Sequence, residues 1–297
     1  MQKLEELTRL VCQVAREAGA YIRKERAGFS ADRVERKHAH DYVSYVDKGS
    51  ERLIVDKLRQ LLPEAGFITE EGTAEAATAV MDNGQLITDH KLTGEAPAIV
   101  NAPLSKVHSP GGGSPVWVVD PLDGTTNFIH GFAPYAVSIA LMQGHSILLG
   151  VVYDVCADEC FYAWQGGGAY VNDKPIHVAA NGINDALLCM QLPYNSDAYK
   201  PVIERLIDRF YGQVASVRML GSAAIALCYV AAGRLDGYVE RYIGQWDYMA
   251  GALIVKEAGG RVTNYGGNDD FTQGDSIVAT NGIVHDDLLA STAGGAN

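Results

Sequence analysis

Two carboxylates three residues apart, Asp120 and Asp123, stand in the run WVVDPLDGTTNF at residues 117–128. The apolar triplet Trp117-Val118-Val119 reads as the end of a buried strand, and Pro121 and Gly124 pin a turn that presents both acids. Thr125, Thr126 and Asn127 follow, small polar residues suited to capping a helix whose first N–H groups face an anion. Carboxylates beside such a helix start imply a hard divalent cation between protein and phosphate, because Mg²⁺ is held by a few carboxylates plus substrate oxygens. The plainer alternative is an acidic surface turn with no ligand. Upstream, Glu70-Glu71 closes a short strand; adjacent like charges repel unless a cation neutralises them, although an exposed acidic loop fits the dipeptide as well. Asp47 and Asp247 each sit where a helix N-cap belongs, and Gly221-Ser222 opens another helix as a plain cap or an anion contact. No G-x-S-x-G elbow is present, so a Ser-His-Asp hydrolase does not fit.

The elements that must position these residues show in the periodicity. Leu4, Leu7, Val11, Val14, Ala15, Ala18 and Ile22 recur at helical spacing over residues 3–26. A second helix spans 48–62 and stops before Pro63, and residues 66–69 form a strand. Residues 74–115 then make a connection long enough to be a functional loop or a poorly ordered one, with His90, Lys91 and His108 as solvated residues. Strands at 135–142, 146–154 and 160–164 give a mainly antiparallel sheet, and Gly166-Gly167-Gly168 reads as a turn. Beyond residue 181 strands and helices alternate, the mark of a layered α/β architecture. The expected organisation is one unit over 1–297, with halves at 1–180 and 181–297 and an insertion at 74–115.

With 297 residues, 47% of them hydrophobic, the chain buries a large core. A formal net charge of −12 with no long basic run argues against nucleic acid or an anionic membrane as partner. The five cysteines contain no C-x-x-C pair, and no apolar stretch reaches 18 residues, so free thiols in the cytoplasm are expected.

The D-P-L-D-G-T-T-N-F segment at 120–128, the Glu70-Glu71 pair and the W-D-x-x-A-G segment at 246–251 together resemble the inositol monophosphatase family of Mg²⁺-dependent, lithium-sensitive phosphatases. The resemblance implies a sandwich of alternating helix and sheet layers, like that of the inositol monophosphatases and fructose bisphosphatases, in a homodimer. It implies that Glu70, Asp120 and the Leu122 carbonyl hold a first metal, and that Asp120, Asp123 and Asp247 hold a second. Thr125, oriented by Asp47, would help Glu70 position the attacking water, and the Gly124 and Thr125 N–H groups would grip the phosphate. A proton for the leaving group would arrive through water near Asp123, with no covalent intermediate. Glu240 would accept hydrogen bonds from substrate hydroxyls, opposite a wall of Gly221, Ser222 and Ala223; on the residue alone, a surface glutamate is an even alternative. Related nucleotide 3′-phosphatases more often place a lysine where Thr126 stands, which favours inositol monophosphate or a similar polyol phosphate. The alternatives are 3′-phosphoadenosine 5′-phosphate, fructose 1,6-bisphosphate, histidinol phosphate, and a catalytically silent regulatory protein.

Overall fold

A 26-residue helix, α1 (Gln2–Ala27), opens the chain and buries Leu7, Val11, Val14, Ala15, Ala18 and Ile22 along one stripe. The computed structural model describes residues 2–29, 34–38, 41–73, 80–82, 85–87, 113–192, 196–269, 271–272 and 275–292. Most of the connection at 74–115 lies outside them, including His90, Lys91 and His108. An antiparallel ribbon, β1 (Val34–His38) and β2 (Asp41–Ser44), leads into α2 (Tyr45–Leu61). After β3 (Gly66–Thr69) comes a second ribbon, β4 (Val80–Asp82) and β5 (Gln85–Ile87). Then β6 (Pro115–Asp123) runs into the short α3 (Thr125–His130).

Five further strands complete a sheet on this side: β7 (Ala136–Gln143), β8 (Ser146–Asp154), β9 (Glu159–Trp164), β10 (Ala169–Val171) and β11 (Lys174–Ile176). The sheet has seven strands in the order β11-β10-β9-β8-β7-β6-β3, and only the β3–β6 pairing is parallel. The rest of the chain alternates: β12 (Leu187–Met190), α4 (Ser196–Phe210), β13 (Ser216–Arg218), α5 (Ala223–Ala231), β14 (Gly237–Ile243) and α6 (Gln245–Glu257). It closes with β15 (Arg261–Thr263), β16 (Asp275–Thr280) and α7 (His285–Thr292). Its strands form a mixed five-stranded sheet in the order β13-β12-β14-β16-β15.

Alternation along the strands assigns the layers. Trp117, Val119 and Leu141 pack with α1 and α2, whereas Val118, Ala140 and Val152 turn the other way onto α5 and α6. Both faces of the seven-stranded sheet are covered, which is why β6 reads as a continuous apolar run. Cys189, Tyr238 and Ile277 meet the opposite side of α5 and α6, and Leu188, Val239 and Val278 pack with α4 and α7 on the outside. The order is helices, sheet, helices, sheet, helices. Held between two sheets, α5 is apolar all round and eight of its nine residues are buried. Gly150 permits this packing, since a Cβ there would stand 2.6 Å from the Ala250 carbonyl oxygen of α6. Among the described residues no helix is long and apolar enough to cross a membrane.

Two helix starts and one strand end at the site differ from the sequence expectation, for local reasons. The second helix begins at Tyr45 with Ser44 as its N-cap, so Asp47 is not the cap but the third helical residue. The sixth begins at Gln245 with Gly244 as its cap, which puts Asp247 in the same third position. Residues 120–123 are not a turn beyond a strand; they belong to β6, which continues through a bulge to Asp123.

Candidate active site

In a regular strand, residues three apart face opposite sides of the sheet. Asp120 pairs with Ser138 and Asp123 with Ala136, so β6 spends three residues where β7 spends two, and the extra residue turns both carboxylates into one cavity. Pro121 has no N–H to lose and tolerates the interrupted ladder. Asp247 reaches the same point from the start of α6, which the Ser138 hydroxyl pins by donating to the Trp246 carbonyl at 3.0 Å. Asp120, Asp123 and Asp247 each offer a carboxylate oxygen, and these oxygens lie within 4.8 Å of one another. Glu70 arrives through the parallel pairing of β3 with β6, which its N–H extends by donating to the Val119 carbonyl at 3.3 Å.

Burial and mutual repulsion dominate the electrostatics. Asp120 is pushed well above the usual carboxylate range by burial and then by the charges of Glu70, Asp123 and Asp247, against one opposing hydrogen bond from the Leu122 N–H at 2.9 Å. Asp247 is raised to about 8 by burial and the charges of Asp123 and Glu240. Asp123 rises only to about 6, because hydrogen bonds from Ser222, Ala224 and Ala223 oppose its burial. Those donors sit at the start of α5: the Ala224 N–H donates at 3.0 Å and the Ala223 N–H at 3.3 Å, beside the Ser222 hydroxyl. Ser222 is the N-cap of α5 as well, accepting from the Ile225 N–H at 3.3 Å. It lies buried behind Asp123, while Gly221 and Ala223 line the cavity. The donor set is entirely hard oxygen, crowded and short of positive charge, and it fits a hard divalent cation.

Thr125 stands between this group and α2. Its hydroxyl lies 2.9 Å from Asp47 Oδ1 and 3.0 Å from the Leu122 carbonyl oxygen, two acceptors for one proton. Asp47 Oδ2 accepts from the Ser44 N–H at 2.9 Å and the Ser44 hydroxyl at 2.6 Å; these bonds, with that from Thr125, oppose the upward push of burial on its carboxyl. Two more residues on the same face of α2 serve the site. Ser50 donates to the Pro121 carbonyl at 2.9 Å, and Glu51 accepts from the Glu71 N–H at 2.7 Å and from the Thr73 N–H and hydroxyl, both at 2.6 Å. Spacing of i, i+3 and i+4 places Asp47, Ser50 and Glu51 on one face, which holds the aspartate bulge and the glutamate loop in register. Gly124, the N-cap of α3, has φ 86°, and a Cβ there would stand 3.1 Å from the carbonyl oxygens of Gly221 and Pro134.

The cavity encloses about 330 Å³ and brings together Asp120, Leu122, Asp123, Gly124, Thr125, Gly221, Ala223, Glu240 and Asp247. Glu240 is no surface residue: it points inward from a central strand, its carboxyl is raised to about 8 chiefly by burial, and the Tyr238 hydroxyl donates to it. Sequence reasoning gave no role to Ser50, Glu51, Gln191 or Tyr242. Gln191 accepts from the Gly221 N–H at 3.2 Å and lines the cavity, as does Tyr242. Asn127 donates to the Pro134 and Leu220 carbonyls, each at 2.8 Å, joining the aspartate segment to the loop before α5.

Comparison with known proteins gives the family. Residues 3–295 match the model of the inositol monophosphatase family. An inositol-1-monophosphatase of Mesorhizobium japonicum is 33% identical over 285 residues, 95% of this chain and 94% of that protein. A fructose-1,6-bisphosphatase/inositol-1-monophosphatase of Thermotoga maritima is 31% identical, over 87% of this chain and 85% of its own length. Among solved structures, the extragenic suppressor protein suhB of Bartonella henselae superposes with a TM-score of 0.79 at 30% identity, covering 97% of this chain and 98% of that one.

Proposed function

Because the chain belongs to the inositol monophosphatase family and is a phosphatase, we propose that it hydrolyses the phosphate monoester of a polyol, inositol monophosphate first among them, with Mg²⁺. The observation that carries this reading is the group of Asp120, Asp123 and Asp247 in one cavity with Glu240. The proposed ligands of a first ion are Glu70, Asp120 and the Leu122 carbonyl, and those of a second are Asp120, Asp123 and Asp247. When bound, such ions supply an ionised water and neutralise charge on the oxygens of the displacement.

The chain's own residues supply position and proton control. With its single proton committed to Asp47 or the Leu122 carbonyl, the Thr125 hydroxyl offers lone pairs to a water O–H. That orients the water between Thr125 and Glu70 with its own lone pair toward phosphorus. The N–H groups of Gly124 and Thr125 are the proposed phosphate contacts. Asp123, whose oxygens accept from the start of α5, is the proposed carboxylate beside the water that passes a proton to the leaving oxygen. Glu240 is the acceptor for substrate hydroxyls, and Gly221 and Ala223 form the facing wall.

Phosphate release from inositol 1-phosphate, fructose 1,6-bisphosphate and 3′-phosphoadenosine 5′-phosphate, with Mg²⁺ and with a chelator, tests the proposal. Mg²⁺-dependent turnover is expected to be fastest on the first. Faster turnover of fructose 1,6-bisphosphate, which the name of the Thermotoga relative makes the foremost competitor, overturns the substrate assignment. No turnover of any of the three supports the silent regulatory alternative, which a relative called Nus factor SuhB brings into view and which the group of Asp120, Asp123 and Asp247 opposes. Five unpaired cysteines support a reducing, cytoplasmic setting. A homodimer is part of the same proposal: exposed Ile207, Tyr211 and Met219 surround an apolar recess beside the edge strand β13, and light scattering of the purified protein reads the mass directly.

A further inference from the structure

Tyr242 holds a backbone conformation that its side chain disfavours. Its φ is 59°, in the left-handed region, at the bulge where β14 slips against β16 between Arg241 and Ile243. Among the described residues the other non-glycine positions with positive φ are Asp158, Asn172, Asp173 and Asp275, types whose short polar side chains tolerate it. For an aromatic residue the conformation is strained and persists only where the surroundings impose it. Here the bulge aims the ring. Tyr242 lines the acidic cavity between Glu240 and Asp247 in sequence, and it stays 39% exposed. The ring is fixed from behind: the buried Tyr199 meets it edge to face with centroids 6.2 Å apart, and the Arg241 guanidinium lies 5.2 Å from its centroid. Tyr199 is itself tied down, its hydroxyl 2.8 Å from that of Tyr265. Leu192, 56% exposed, and Ile243 extend the apolar lining.

We propose that Tyr242 is a specificity-determining residue, its ring forming the wall on which the carbon face of a cyclic polyol phosphate stacks while Glu240 takes the hydroxyls at the ring edge. The proposal rests on the phosphatase reading above and deepens it. A cyclic polyol has polar edges and C–H faces, and a carboxylate beside a rigid aromatic ring matches both at once. An acyclic polyol phosphate can satisfy Glu240 but brings no continuous face to the ring. Such an arrangement selects for cyclic leaving groups without touching the phosphate or the acidic group.

The test compares kcat/KM for inositol 1-phosphate and glycerol 2-phosphate in the wild type, Tyr242→Gly and Tyr242→Phe. The Gly variant accepts φ 59° without strain, so its melting temperature is expected to hold or rise. Its ratio of cyclic to acyclic kcat/KM is expected to fall about tenfold, through KM for inositol 1-phosphate, as loss of one aromatic contact predicts. The Phe variant keeps the ring and is expected to keep the ratio. An unchanged ratio in the Gly variant overturns the proposal, as does an equal fall on both substrates with a lower melting temperature, which makes the ring structural. A Phe variant that behaves like the Gly variant overturns it too, by assigning the effect to the hydroxyl. Wild-type protein that releases no phosphate from either substrate removes the phosphatase reading itself, a different failure from turnover with the wrong ratio.

Discussion

Asp47 and Asp247 occupy the same local position and are used differently. Each is the third residue of its helix, and each accepts the backbone N–H of the N-cap residue, from Ser44 at 2.9 Å and from Gly244 at 2.8 Å. Asp47 then has its other oxygen taken by Thr125, and Ser44 adds a hydroxyl. Asp247, half-buried, turns its remaining capacity toward Asp120 and Asp123, two buried acids. Of these two third-position carboxylates, the one whose oxygens are both taken by protein donors orients its neighbours, whereas the one whose second oxygen faces other carboxylates is placed to help hold a cation. Capping geometry makes both states available from one motif, because it occupies one oxygen and leaves the other to its surroundings.

The largest effect expected from this contrast is that of Asp247→Asn. Losing the charge of a proposed metal ligand should lower kcat/KM on the order of 10³-fold at saturating Mg²⁺. In a chelator, at a pH above about 8 where Asp247 ionises, the same variant should melt at a higher temperature than the wild type, because one of three crowded acids no longer adds its charge. Asp47→Asn should do the reverse on stability. It weakens the N-terminal cap of α2, at about 1 kcal/mol, and loosens Thr125, for a 10- to 100-fold loss in kcat. Differential scanning calorimetry with and without Mg²⁺, beside steady-state kinetics, reads both. If the two variants shift the metal-free melting temperature in the same direction, the distinction between filled and unfilled carboxylates is wrong. Smaller again is Glu51→Gln, which keeps the shape but weakens three bonds to residues 71–73 and should raise the Mg²⁺ concentration for half-maximal activity severalfold, through Glu70.

How much of this was legible in the chain follows the range of the interactions. The helix and strand order showed in the periodicity, and the acidic positions showed in three short segments. Ser44 and Asp47 spelled a capping box, S-x-x-D, which placed the helix start three residues earlier than a reading centred on Asp47. The bulge was not legible: three-residue spacing puts Asp120 and Asp123 on opposite faces, and only the pairing with β7 shows the extra residue. Glu51 carried no signal, and Glu240 showed only through the resemblance, a surface glutamate being an even alternative on the residue alone, because their burial is decided by elements distant in sequence, the loop at 71–73 and the central place of β14 in its sheet. Tyr242 carried no signal at all, since a left-handed tyrosine is set by the strand beside it.

The criterion of filled acceptors extends outside the cavity to His285, where it predicts the smallest effect at neutral pH. His285 is fully buried at the start of α7, with Nε2 3.0 Å from the Thr263 hydroxyl and Nδ1 2.9 Å from the Thr280 hydroxyl. One ring nitrogen donates and the other accepts, so the neutral ring is satisfied and the site needs no ligand. Burial, with the Arg261 charge adding to it, pushes the imidazole down to about 4. A folded-state value below the unfolded one means that the neutral form is preferred in the fold, so this contribution is complete above about pH 6.5 and is lost as pH falls toward about 4. Its size is on the order of 3 kcal/mol, read as a fall in denaturant midpoint between those pH values. A His285→Gln variant, which keeps one donor and one acceptor but does not titrate, should flatten that pH dependence and leave kcat at pH 7.5 within about twofold of the wild type. An unaltered slope in the variant would assign the acid sensitivity to other groups, and a deep loss of turnover would show that filled hydrogen bonds do not separate structural residues from working ones.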